Sequence, residues 1–485
     1  MGALIAVLHK QGEDATKAAV TMLKALRTRK TEAFGIASPT ATHIESKLET
    51  LGTEALNSST IVGHAFTKIL ASDKPQPMRL EKAALVFEGR IYSSTINAAD
   101  TENIVHRFQQ ENEKAAETLT KVTDADFAFA IAEPSRLIAG KDAIGARPLY
   151  FGQNSELAAL ASERKALWSL GINHTEAFPL GRIVIVDKNG FSFKHVKTLE
   201  HPKLKQTSLQ AASEELQALL ELSVEERIRG LKEATVAFSG GLDSSLIAFL
   251  AKKSKAHIEL VHVSLENQPE TEHAKMAAKE LELPIRIRLF KENDVERVLP
   301  EVLWLIEEPD PVKAGIGVPM YWAAQEAAEM KLKVMLAGQG ADELFGGYKR
   351  YVDEYLRDGS EKARKQMFND VVRLHETNID RDSKICNSHG VELRLPFAAY
   401  EVARLALSLP TEHKIEPKHG GTRKLILRHV AERLGLPRSI AEKPKKAVQY
   451  TTGVDKALKK LAKKNKSSLQ EYLQRTFADT ARKMT

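Results

Sequence analysis

Residues 234–245 read Ala-Thr-Val-Ala-Phe-Ser-Gly-Gly-Leu-Asp-Ser-Ser, an apolar run that ends at Phe238 and breaks into two adjacent glycines. Gly240 and Gly241 permit positive φ and a close approach of backbone to a ligand. Successive N–H groups in such a turn, followed by a helix N-terminus, form a nest for an anion. Ser239, Ser244 and Ser245 add hydroxyl donors. Asp243 sets a carboxylate beside the same anion, which makes chemical sense when a magnesium ion bridges carboxylate and phosphates. The Gly-Lys-Ser/Thr ending of the other common phosphate loop occurs nowhere in the chain.

A second glycine-rich string, Leu336-Ala337-Gly338-Gln339-Gly340-Ala341-Asp342-Glu343-Leu344-Phe345-Gly346-Gly347-Tyr348, also follows a β-type run. Its glycines allow tight approach to a nucleotide, and Asp342 offers a second magnesium ligand. A third string, Ala441–Gln449, carries Lys443, Lys445 and Lys446 and read alone is a basic surface run.

These strings need elements to hold them. Ala234–Phe238, Ile258–Val263 and Val334–Ala337 read as buried parallel strands, since they are apolar without alternation. Helical patterns over 208–230, 244–255, 272–282, 294–307 and 318–331 separate them. Both glycine strings then fall at the carboxyl edge of one sheet, where open α/β folds bind ligands. Residues 1–200 read differently. Short β runs at Ala3–Leu8, Thr60–Phe66, Ala83–Phe87, Phe127–Ile131, Pro148–Phe151 and Arg182–Val186 are interrupted by helical stretches near Ala15–Thr28 and Thr101–Leu119. That mixture implies α+β with antiparallel sheets. The segment Glu200–Thr207 is the natural linker, and 454–485 forms a basic helical tail.

Composition narrows the classes. The 485 residues are 43% hydrophobic and 28% charged, enough for a buried core in each of two or three domains, and no apolar run reaches the length of a membrane span. The single cysteine, Cys386, excludes an internal disulfide and any multi-cysteine metal centre, and it points to a reducing cytoplasm, as does an N-terminus without a secretory pattern. Residues 441–485 hold 12 Lys/Arg against 4 Asp/Glu, whereas the remainder is close to neutral. Val454, Leu458 and Leu461 sit at helical spacing among those lysines. The tail is thus either a solvated amphipathic helix or a docking surface for an anionic partner such as RNA.

The three strings, in this order, resemble the synthetase domain of asparagine synthetases of the class B type and their relatives, including β-lactam synthetase. Gly390-Val391-Glu392-Leu393-Arg394-Leu395-Pro396-Phe397 and Arg423-Lys424-Leu425-Ile426-Leu427-Arg428 support this, and the resemblance covers residues 208–453. Gly63-His64, Asp126-Phe127-Ala128-Phe129, Arg147-Pro148-Leu149-Tyr150 and Ala161-Ser162-Glu163 extend it to the class II glutaminase domain. The resemblance implies an N-terminal four-layer α+β sandwich of the Ntn type and a C-terminal α/β pyrophosphate-loop domain with a helical end, in an archaeal-like variant. It further implies that Phe238, Val263, Ala337 and Gly338 hold the adenosine of ATP. Ser239, Gly240, Gly241, Asp243, Ser244 and Ser245 would cradle its pyrophosphate, and Asp243 and Asp342 would bind Mg2+. Lys445 would stabilise charge developing at the α-phosphate, while Glu270 would lie near the same nucleotide and Gln339 beside the reacting groups.

The departures from the family matter for function. The glutaminase nucleophile is an N-terminal cysteine with its α-amine as base. Here position 2 is Gly2, the glutamine-binding Asn-Gly-Glu reads Glu88-Gly89-Arg90, and no arginine follows Gly63-His64 at 65–67. The domain is expected to lack glutaminase activity. In the second loop Gln339 replaces a glutamate, and an amide cannot exchange a proton as a carboxylate does. In 307–321 the expected hydroxyls and arginine are replaced by Val312, Lys313, Gly315, Gly317 and Val318, which leaves Lys313 as a point charge and predicts a pocket enlarged by glycine. The expected function is an ATP-dependent carbon–nitrogen ligase. A small-molecule carboxylate is adenylated with loss of pyrophosphate, and ammonia or an amine then displaces AMP. Amidation of a carboxylate on an RNA base, β-lactam-like ring closure, a nucleotide-binding scaffold and a homodimer remain open at this point.

Overall fold

The computed structural model describes residues 2–28, 30–52, 56–92, 104–105, 108, 112–443 and 447–484. It divides into two compact units, one of residues up to Thr198 with Asn387–Gly390, the other of Leu199–Cys386 and Val391–Met484.

In the first unit the strands are β1 (Gly2–His9), β2 (Ala33–Ala37), β3 (Thr42–Glu45), β4 (Thr60–Phe66), β5 (Met78–Arg79), β6 (Ala84–Ile91), β7 (Ala125–Glu133), β8 (Arg136–Lys141), β9 (Tyr150–Gln153), β10 (Leu157–Ala161), β11 (Glu176–Ala177), β12 (Arg182–Asp187) and β13 (Gly190–His195). Among the described residues they form two antiparallel sheets, ordered β11-β9-β10-β1-β4-β2-β3 and β13-β12-β8-β7-β6-β5. The run Ala3–Leu8 lacks alternation because both faces of β1 are covered. Ala3, Ile5 and Val7 pack with Ala19, Met22 and Leu23 of helix Thr16–Ala25. Leu4, Ala6 and Leu8 pack with Val86, Ala128 and Ala130 of the second sheet. The outer face of that sheet buries Leu85, Phe87, Phe127 and Phe129 against Ala116 and Leu119 of helix Asn112–Thr120. The layers are therefore helix, sheet, sheet, helix, and each fully buried Leu, Ile or Phe contributes about 1.5–3 kcal/mol. The helical stretch expected over Thr101–Leu119 is described only from Asn112, apart from 104, 105 and 108.

The second unit holds β14 (Glu233–Ala237), β15 (His257–Leu265), β16 (Ile285–Phe290), β17 (Val334–Leu336) and β18 (Glu392–Arg394), all parallel and ordered β16-β15-β14-β17-β18. The chain runs outward from β14 to β16, then returns to the other side of β14 for β17. Strand order reverses between β14 and β17, and a crevice opens at their carboxyl ends where the connections diverge. Both glycine strings leave the sheet at that crevice. Helix Leu242–Lys252 starts where Gly240, at φ +67°, lets the chain turn, and a side chain at 240 would bring Cβ within 2.8 Å of Ala274 Cα.

Helix Pro311–Glu329 begins seven residues before the start that its apolar pattern predicts. The Asp310 side chain caps it by accepting from Lys313 N at 2.7 Å, and Pro311 fits the first helical position. The tail forms helices Val454–Lys464 and Leu469–Met484, with Val454, Ala457, Leu458, Leu461 and Leu473 buried. Lys460 pairs with Glu292 at 2.5 Å and Lys464 reaches Glu296 at 3.9 Å, so the tail is packed onto its own unit. Among the described residues no helix is long and apolar enough to cross a membrane.

Candidate nucleotide and acceptor site

A cavity of about 730 Å³ occupies the crevice at the carboxyl ends of β14, β15 and β17. Phe238, Ser239, Asp243 and Ser244 reach it from the first loop, and Val263 and Glu270 from the β15 side. Ala337, Gly338, Gln339 and Asp342 reach it from the second loop. The first loop is held internally. Ser239 N donates to Ser244 Oγ at 3.2 Å, and Gly241 N donates to Ser239 Oγ at 3.3 Å. The two loops touch through a missing side chain, because a Cβ at Gly338 would lie 3.0 Å from Asp243 Cβ.

One expected ligand is not brought to the cavity. Ser245 is fully buried on helix Leu242–Lys252 and does not line the crevice. Two residues after Asp243 on a helix, it has rotated about 200° toward the core. Gly240 and Gly241 shape the turn and do not form the wall. Lys445 lies outside the described residues. Lys443, just before it, donates through Nζ to Gly240 O at 3.3 Å.

Asp243 and Asp342, whose spacing in sequence is 99 residues, converge on one cation. Lys424 Nζ donates to Asp243 Oδ1 and Oδ2 at 2.7 and 2.6 Å and approaches Asp342 Oδ1 at 2.6 Å. Lys424 is almost wholly buried and stands at φ +59° just before helix Leu425–Arg433, a conformation costly for a side-chain-bearing residue. Its sequence neighbourhood, Arg423-Lys424-Leu425, carries no local sign of this task. Two carboxylates sharing one positive charge form an oxygen-rich donor pair that suits Mg2+, which takes one or two carboxylates together with substrate phosphates. No group of three or more metal-ligating side chains exists among the described residues.

Other charged groups surround this centre. Glu343 accepts from Tyr348 Oη at 2.6 Å and from Asn378 Nδ2 at 2.8 Å. Burial, then the neighbouring Asp342, pushes its carboxyl up from the ordinary range. His262 within β15 pairs through Nδ1 with Phe238 O at 2.9 Å, and burial holds its imidazole below the usual pKa. Gln339 Nε2 donates to Asp382 Oδ2 at 2.7 Å, and Arg381 holds the same carboxylate through Nε and Nη2 at 2.7 and 2.9 Å. His262, Lys424 and the adjacent pair Arg381 and Asp382 carry no spacing signal, since they arrive from three separate segments.

The wall at 307–321 differs from expectation. Lys313 is no lone point charge, because its ammonium pairs with Glu308. Gly315 and Gly317 do not enlarge the cavity, for neither lines it. A side chain at 317 would meet Val302 Cγ1 at 3.0 Å and Ile385 Cδ1 at 3.3 Å, and one at 315 would meet Gln449 Cβ at 3.2 Å. These glycines let helices pack closely, and Val312, Ile316 and Met320 of the same helix face the cavity instead.

A second cavity of about 740 Å³ lies in the first unit beside Glu113, Glu133 and Arg136. Of its lining charges, Arg136 pairs with Glu133 at 2.5 Å, and Glu117 pairs with Lys194 at 2.5 Å. In the same unit His64 Nε2 lies 3.0 Å from Glu88 Oε2 in a fully buried pair, and Arg90 binds Asp73 at 2.6 and 2.8 Å.

The family model of asparagine synthase matches residues 215–362 and 353–482, and that of the glutamine amidotransferase domain matches 64–169. A putative glutamine-hydrolysing asparagine synthetase 1 of Methanocaldococcus jannaschii is 36% identical over 425 residues, covering 77% of each chain. Glutamine-hydrolysing asparagine synthetase 2 of Arabidopsis thaliana is 27% identical over 79% of this chain and 69% of its own. Glutamine phosphoribosylpyrophosphate amidotransferase from B. subtilis superposes with a TM-score of 0.36 at 16% identity over 59% of this chain and 65% of its own, too slight a likeness to bear on the site.

Proposed function

The chain belongs to the asparagine synthetase family, whose members are carbon–nitrogen ligases forming AMP and pyrophosphate, and from that premise we propose that it adenylates a small-molecule carboxylate and joins it to ammonia or an amine, without hydrolysing glutamine. The convergence of Asp243 and Asp342 on one cation beside the Ser239–Gly241 loop carries this reading.

The Ser239 and Ser244 hydroxyls, at the N-terminus of helix Leu242–Lys252, are the loop's donors toward the pyrophosphate of ATP. Phe238, Val263, Ala337 and Gly338 border the place left for adenosine. Asp243 and Asp342 would hold Mg2+, which when bound offsets the repulsion between carboxylates and phosphates. The acceptor carboxylate attacks the α-phosphorus, the bond to the β-phosphate bridging oxygen breaks, and pyrophosphate leaves. The nitrogen nucleophile then attacks the acyl carbon of the adenylate, loses a proton and expels AMP. Lys424 supplies positive charge where the departing pyrophosphate gains negative charge, a task suited to a compact ammonium, and the resemblance assigns Lys445 the same task.

Loss of glutaminase activity is supported by packing in the first unit. Gly2 lies in β1 opposite Phe66, and a Cβ there would stand 1.8 Å from Ala65 O. The sole cysteine, Cys386, is buried in the second unit, where burial and then Asp382 push its thiol well above the usual range. In the tail, Lys460 pairs with Glu292 and Lys464 approaches Glu296.

The test is pyrophosphate release with ATP and magnesium over a panel of carboxylates, with and without ammonium. Release that needs a carboxylate, followed by AMP and an amide when ammonium is added, is the expected result. ATP binding without any pyrophosphate would refute the ligase reading.

A further inference from the structure

Gln339 is the residue whose chemistry in the second loop the sequence leaves most open. Its amide could face the cavity with either its oxygen or its NH2, which have opposite hydrogen-bonding character. Asp382 removes that freedom. A carboxylate gripped by Arg381 through two N–H bonds can only accept, so Nε2 must face Asp382 and Oε1 must lie on the other side of the planar amide. Asp382 is fully buried and Arg381 nearly so, and a buried charge-assisted pair of this kind is stiff. Gln339 itself lines the cavity, and its Oε1 meets no donor among the described residues.

We propose that Asp382 is a positioning residue that fixes Gln339 Oε1 as an acceptor aimed into the cavity, so that this site selects a nitrogen-bearing donor next to the reacting acyl group. Two sources supply that chemistry, an amino group carried by the acceptor acid or the ammonia that attacks it. A carbonyl oxygen binds either through N–H and discriminates against a carbon or bare-oxygen analogue, which would leave the amide oxygen unpaired. The inference rests on the ligase reading of the same cavity.

The experiment uses the full chain with ATP, magnesium and paired acids, L-aspartate against succinate and L-glutamate against glutarate, with Asp382→Asn and Gln339→Met beside the wild type. Asparagine at 382 can pair with the amide in either sense, so it frees the orientation while keeping the volume. Methionine at 339 keeps the length and deletes the acceptor. If the acceptor supplies the donor, the wild type prefers the amino-bearing acid of a pair by at least about tenfold in kcat/KM, and both variants lose that preference through KM for the acid. If ammonia supplies it, the wild type treats the pair alike, and both variants raise KM for ammonia about tenfold. KM for ATP stays within about twofold in either case. Should the buried Asp382→Asn variant melt early, Gln339→Met on the loop decides alone. A wild type indifferent to the amino group, with neither KM moved in the variants, overturns the proposal and leaves the ligase reading standing. Absence of pyrophosphate release with every acid overturns both.

Discussion

Lys424 ties together two carboxylates that the sequence keeps far apart. Asp243 and Asp342 are drawn to it within 2.7 Å, and each alone would leave an unbalanced charge in a nearly closed site. Replacing Asp243 or Asp342 by Ala should cut pyrophosphate formation at least about a hundredfold, the scale of losing one preorganised electrostatic group. The melting temperature should hold, and substantial turnover in Asp243→Ala would remove the loop from the mechanism. Lys445→Ala should lower turnover by a similar factor with little change in KM for ATP, as expected of a charge that matters most as pyrophosphate departs. A collapse of ATP affinity alone would make Lys445 a ground-state ligand. Glycine-serine-aspartate spacing made the first loop legible from sequence, because one short segment supplies the whole nest. Lys424 and Asp382 were illegible, since their partners lie 181 and 43 residues away and only the folded sheet edge brings them together.

At the scale of elements, buried strands announced themselves as apolar runs, and β14, β15 and β17 fall within two residues of where the sequence puts them. Strand β16 did not, because Ile-Arg-Ile-Arg is an edge pattern. Arg286 and Arg288 stand half exposed and reach buried Glu326 at 3.3 and 3.5 Å, a pairing that no local reading supplies. The apolar pattern of helix Pro311–Glu329 starts only at 318, and its Asp310 cap lies outside that pattern. Its Gly317 now carries a prediction: Gly317→Val should overpack against Val302 and Ile385 and cost about 1–3 kcal/mol, read as a lower melting temperature with KM for ATP unchanged. Lys414, buried before the β-bridge of Ile415 with Arg423, offers a pH test. Burial, then Arg364, pushes its ammonium down to about 7 from the ordinary 10.5. Between those values the unfolded chain binds the proton that the native state has lost, so stability from this group rises with pH. Lys414→Met should therefore melt higher than the wild type below pH 7, and the gap should narrow as pH climbs toward about 10. A gap independent of pH would show that Lys414 does not titrate in the native state.

For the whole molecule the open question is where its nitrogen comes from, since one unit matches an amidotransferase domain and the other a synthetase. Glutamine hydrolysis needs a nucleophile that forms a thioester, a base beside it and a clamp for the amino-acid end of glutamine. At the positions where the resemblance places these parts, the described residues of the first unit carry other side chains. Position 2 carries no side chain, and β1 is paired there so tightly that a Cβ would strike Ala65 O at 1.8 Å. Arg90, which stands where the family has a glutamate, is spent on Asp73, and Glu88 is closed in a buried pair with His64. What remains is a packed four-layer body with both sheets intact, which is reason enough for its sequence to stay recognisable. We therefore expect no glutamate from glutamine at any pH between roughly 6 and 9, the range in which a cysteine thiol of this kind titrates. Ammonium should support amide formation where glutamine does not. Gly2→Cys should not restore glutamine use, because the new side chain must displace the Ala65 backbone and the clamp stays absent; a lower melting temperature is its expected effect. Labelled glutamine incubated with ATP, magnesium and the acceptor acid, with glutamate and AMP counted together, decides the matter. Stoichiometric glutamate and AMP from protein free of contaminating glutaminase would restore a glutamine-dependent reaction and require a nucleophile other than a side chain at position 2 or Cys386.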